Sequence, residues 1–70
     1  MPQASGFQVI KALEKLGFQE VSGGKGSHRK LSDGTRTVVI PTHRQSIPVG
    51  TLASILRQAG ISTDQLRDLL

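Results

Sequence analysis

Between residues 22 and 26 the chain reads Ser22-Gly23-Gly24-Lys25-Gly26, and no helix can run through that stretch. Glycine loses more backbone freedom on ordering than any other residue. Three of them in five positions imply unusual dihedrals or close approach to something. The segment divides the 70 residues into a helical N-terminal part and a middle built from turns and strands.

Upstream, residues 5–17 are expected to form a helix. Phe7, Ile10, Leu13 and Leu16 recur every third position and are assigned to one apolar face, opposite Lys11, Glu14 and Lys15. Ser5 and Gln8 have capping-box spacing, and Gly17 can take the left-handed position after the last turn, with Phe18 folded back. Downstream, 18–22 is a short strand, the glycine segment a turn, 27–31 a second strand and Ser32-Asp33-Gly34 a tight turn. Residues 35–40 are rich in side chains branched at Cβ and make the clearest strand, ended by Pro41. A loop over 41–50 tucks Ile47 into the core. Residues 51–59 form a helix with Leu52, Ile55, Leu56 and Ala59 on one face, closed by Gly60. Ser62 and Gln65 cap a short helix over 63–69 that carries Leu66, Leu69 and Leu70.

The order is α-β-β-β-α plus a terminal helical turn, an α+β fold in a single domain, residues 1–70. The three-stranded antiparallel sheet has helices on one face and an open face opposite. Strand alternation sends Leu31, Val38 and Ile40 toward the helices, with Ser27 and Arg29 sharing the parity of Leu31. His28, Lys30, Thr35, Thr37 and Val39 go to the open face.

Such a short chain has a small core, and without cysteine it has neither disulfides nor thiolate metal ligands. No apolar run reaches the ~18 residues of a membrane-spanning helix, and the start does not read as a signal peptide. A soluble cytoplasmic protein is the expectation. Nine basic residues oppose five acidic ones. Over 21–48 the cations Lys25, Arg29, Lys30, Arg36 and Arg44 face a single acid, Asp33. That segment is a candidate phosphate-binding surface, the plainer readings being a solubilising surface charge or the docking face for an acidic protein.

The same segment holds both histidines, His28 and His43. Imidazole moves protons near neutral pH. RNA brings its own nucleophile, the 2′-OH beside each phosphate. A cleaving site needs only to take that proton, meet the developing charge and protonate the leaving oxygen. His28 is the candidate general acid or base; the alternative is a surface histidine without a role. Ser27 and His43 are candidate assistants. Lys25, Gly26, Arg29, Lys30, Arg36 and Arg44 are candidate RNA or phosphate contacts, with the backbone at Gly24 and Gly26 a candidate anion nest. Two histidines without cysteine or an adjacent acid make a poor metal site, so neither metal nor cofactor is expected. The glycine segment lacks the order of a nucleotide-binding P-loop. With no Tyr or Trp, and both Phe assigned to the core, base-stacking RNA modules are disfavoured.

Several of these pieces, in this order, resemble the HicA toxins, the small mRNA interferases of bacterial type II toxin–antitoxin systems. Leu13 to Phe18 resembles the family's helix-to-strand junction. Gly26-Ser27-His28 matches its Gly-Ser-His signature, and Pro41 and His43 match the proline and histidine after the third strand. Gly50-Thr51-Leu52, Ile55-Leu56 and Ala59-Gly60-Ile61-Ser62 resemble its closing helix. Family members often carry an arginine shortly before Gly-Ser-His, where this chain has Ser22, Gly23 and Gly24. The resemblance implies a double-stranded-RNA-binding-domain-like fold and a translation-inhibiting endoribonuclease acting on mRNA through His28. It also implies a HicB-type antitoxin as protein partner. A non-catalytic double-stranded-RNA-binding module is the alternative.

Overall fold

A computed structural model describes residues 2–43 and 45–70. In chain order they form α1 (Gly6–Glu14), β1 (Gln19–Lys25), β2 (His28–Ser32), β3 (Thr37–Pro41), α2 (Val49–Ala59) and α3 (Thr63–Leu69). The sheet is antiparallel with spatial order β1-β2-β3, so the α-β-β-β-α topology is as expected.

Both capping boxes form. The Ser5 hydroxyl accepts from the Gln8 N–H and the Gln8 side chain accepts from the Ser5 N–H. Ser62 and Gln65 repeat the arrangement on α3. Gly60 closes α2 in the left-handed conformation, and the Ile61 N–H returns to the Leu56 carbonyl.

Helix α1 is shorter than expected and turned on its axis. Val9, Ile10, Ala12 and Leu13 are buried, whereas Phe7 and Leu16 are exposed. Steps of three residues rotate a helix by ~300°, so three such steps carry a side chain to the opposite side. Phe7 and Leu16 thus cannot share a face, and Val9 with Leu13 makes the true seam. Phe7 accordingly lies outside the core, under the guanidinium of Arg29, which sits 5.7 Å from its ring centroid.

The glycine segment is also strand rather than turn. Strand β1 continues to Lys25, and only Gly26-Ser27 makes the turn into β2. Gly26 has φ 59°, and among the described residues no other residue type takes a positive φ, which fits a two-residue hairpin with glycine in its first position. Val21 pairs with Lys30 and Lys25 with His28. Ser22, Gly23 and Gly24 therefore bulge out opposite the single residue Arg29. Such a bulge leaves ladder groups unpaired and bends the strand.

The core joins Leu31, Val38 and Ile40 from the sheet to Val9, Ile10 and Leu13 of α1, Leu52, Ile55 and Leu56 of α2, Leu66 of α3, and Phe18 and Ile47 from the connections. Val21 and Val39, of opposite parity, are exposed, so the helices cover one sheet face. Leu69 packs at the margin of the core, and Leu70 is exposed. Among the described residues no helix is long and apolar enough to cross a membrane.

Candidate active site: a two-histidine cleft at the end of the sheet

His28 opens β2 and Pro41 closes β3, and the two pair directly. The chain then turns through Thr42 and His43 and returns to enter α2. This brings the two histidines together: their ring centroids are 5.7 Å apart, with the planes tilted by 39°. Both rings, with Pro41, Ile47, Pro48 and Thr51, line an open cleft of about 250 Å³. His28 is exposed and keeps the strand parity of Lys30, but it gathers with the α2 entry rather than over the middle of the open sheet face.

Helix α2 begins at the cleft. Pro48 is its N-cap, without a side-chain cap or an acid in the first turn. Pro48 and Thr51 both line the cavity. The N-terminal turn of a helix carries partial positive charge on its free N–H groups, so the cleft combines two imidazoles with the positive end of a helix. That combination can hold an anionic phosphate and exchange protons with it.

The predicted contacts do not all converge here. Lys25 stands next to the cleft, as the register partner of His28 across the hairpin, but outside its lining. Gly26 and Ser27 form the hairpin tip, and the Ser27 carbonyl accepts from Thr42. Lys30 lies on the open face, its side chain along Gly23. Arg29 points to the helix side, bridging Glu20 at 3.1 Å above Phe7. Arg36 sits at the other end of α2, where its guanidinium packs on Gly60 and donates to the Ala59 carbonyl. Arg44 lies outside the described residues. Among the described residues no lysine or arginine lines the cleft, and no three His, Cys, Asp or Glu side chains come together.

Three contributors escaped the sequence reading. Pro48 and Thr51 border the cleft only because the loop folds back, and nothing local marks them. Gly6 is the third. A Cβ there would overlap the Pro41 carbonyl oxygen and come within 2.9 Å of Thr42 Cα, so a glycine at the first position of α1 lets that helix abut the end of β3. The faint signal was a poor helix former at a helix start.

A sequence model of the family described as "HicA toxin of bacterial toxin-antitoxin" matches residues 6–61. This chain belongs to the HicA toxin family. No match was found among curated proteins. The matched span of the HicA toxin runs from the glycine under Pro41 through both histidines to the end of α2. It contains the whole cleft. By family the chain is a toxin of a bacterial toxin–antitoxin system.

Proposed function

We propose that this HicA-family toxin is a metal-independent endoribonuclease that cleaves mRNA at the two-histidine cleft and is neutralised by a HicB-type antitoxin covering it. The observation that carries the reading is the approach of His28 and His43 to 5.7 Å at the positive end of α2. One imidazole nitrogen of His28 takes the 2′-OH proton. The 2′-oxygen attacks the adjacent phosphorus, and the bond from phosphorus to the 5′-oxygen breaks. The departing oxygen receives a proton from the second imidazole, that of His43. The products are a 2′,3′-cyclic phosphate and a 5′-OH, and both the electron pairs and the protons balance without water or a metal. The positive helix end and Lys25 meet the charge that develops on the phosphoryl oxygens. Positioned proton transfer of this kind contributes about 10²- to 10⁴-fold in rate.

Inducible expression with RNA integrity followed over time tests the reading. Wild type should degrade mRNA and halt growth. His28→Ala should do neither while remaining folded, because the ring is exposed and outside the core. A folded His28→Ala that stays equally toxic refutes the histidine mechanism. RNA binding without cleavage by wild type would favour a binding module instead.

A further inference from the structure

The hairpin tip that carries His28 is weakly held on its β1 side. Beyond the Ser22–Gly24 bulge, a single register pair, Lys25 with His28, ties the tip to β1. On the other side His28 is paired with Pro41 at the end of the β2–β3 ladder, so the hold on the tip comes from β3 and the residues that follow it. On the β3 side, the Ser27 carbonyl accepts two hydrogen bonds from one residue: the Thr42 N–H at 2.7 Å and the Thr42 hydroxyl at 2.6 Å. A carbonyl oxygen has two lone pairs, and this one has both engaged.

The residues involved are adjacent to the two histidines. Ser27 immediately precedes His28, and Thr42 immediately precedes His43. The paired bonds therefore tie together the two backbone segments that carry the imidazoles. Thr42 is in turn anchored from below. Gly6 packs against the Pro41 carbonyl and Thr42 Cα with no room for a side chain. Two residues earlier, the Ala4 carbonyl accepts from the Ile47 N–H at 2.8 Å. The start of α1 and the residue Ala4 before it thus contact the chain at Pro41–Thr42 and at Ile47, and Thr42 joins that support to the tip.

We infer that Thr42 is a positioning residue whose hydroxyl, by clamping the Ser27 carbonyl, sets His28 against His43 in the geometry their proton transfers require. This rests on the two-histidine cleavage reading above. The hydroxyl is committed to Ser27, so its work is to hold the rings rather than to contact RNA. Catalytic geometry is steep in distance, and a displacement of ~1 Å can cost on the order of a hundredfold in rate.

The test compares wild type, Thr42→Ala and Thr42→Ser on a short RNA, with His28→Ala as background. Nuclear Overhauser contacts between the two imidazoles are recorded on the free proteins. Thr42→Ala should lower kcat on the order of tenfold or more, leave KM nearly unchanged and weaken the ring-to-ring contact. Thr42→Ser, which keeps the donor, should restore both. Should Thr42→Ala not fold, Thr42→Val keeps the bulk without the donor and carries the same expectation. Unchanged kcat with unchanged ring contact overturns the proposal, as does an effect confined to KM, or a folded Thr42→Ser that fails to rescue. If wild type cleaves no RNA, the nuclease reading fails, and the ring contacts alone still decide whether Thr42 sets the pair.

Discussion

His28 has little surrounding structure of its own. It is exposed, at the first position of a strand, beside a two-residue turn. Its surroundings come from residues distant in sequence, namely His43, Pro48 and Thr51. Asp33 shows the opposite case, in which one side chain organises its own neighbourhood. Its carboxylate accepts from the backbone N–H of Arg36 at 2.7 Å and of Thr35 at 2.9 Å. The Arg36 bond first, then that of Thr35, holds its carboxyl below the ordinary value of 3.8. A depressed folded value means stability that is present above the ordinary value and lost as pH falls through the folded one. The stability difference between wild type and Asp33→Asn should therefore be constant above the ordinary carboxylate range and shrink as pH falls through the lowered folded value. Urea unfolding at a series of pH values checks this, and a difference that persists unchanged in acid would contradict it.

At the scale of elements, caps and close approaches decide how α1 and α3 sit. Ser62→Ala removes the hydroxyl that accepts from the Gln65 N–H and should cost about 1 kcal/mol, read as a lower urea midpoint with an unchanged slope. Gly6→Ala should cost more, about 1–3 kcal/mol, because the obstacle is the backbone of Pro41 and Thr42 rather than a pliant side chain. It should also slow RNA cleavage, since the same backbone carries His43. A Gly6→Ala protein as stable and as active as wild type would show that α1 does not brace the site.

These elements also show where the sequence was readable. Capping boxes are local, fixed by two residues three apart, and both were found as expected. So were the inward parity of Leu31, Val38 and Ile40, the α2 seam and the burial of Ile47. The α1 face was misassigned because three-residue spacing drifts around the helix. The glycine segment was misread because a bulge and a turn make the same compositional demand, and only the partner strand distinguishes them. The cleft was half legible: His28 and His43 stood out by chemistry, whereas Pro48, Thr51 and Gly6 join it through the return of the loop.

Considered as a whole molecule, the toxin spreads its cations rather than concentrating them. Lys25 lies on the hairpin opposite His28 and Lys30 on the open face along Gly23, while Arg29 is tied to Glu20 and Arg36 to the end of α2. Binding to RNA should be salt-dependent through the first pair. Lys25→Ala or Lys30→Ala should each lower the salt slope of RNA binding by about one. Arg36→Ala should instead leave the slope unchanged and cost roughly 0.5–1 kcal/mol of stability through the lost cation at a helix C-terminus. The positive end of the same helix stands at the cleft, so α2 links the stabilising role of Arg36 to the electrostatics of the site.

The central claim is that the two-histidine cleft cleaves RNA by proton transfer. Its most direct measurement is single-turnover cleavage of a defined single-stranded RNA by purified toxin in EDTA, with the product ends identified. The account predicts 2′,3′-cyclic phosphate ends from wild type, a loss of about 10²- to 10⁴-fold in rate for folded His28→Ala and a smaller loss for His43→Ala. Cleavage abolished by EDTA and restored by a divalent ion, or a folded His28→Ala as fast as wild type, would contradict it.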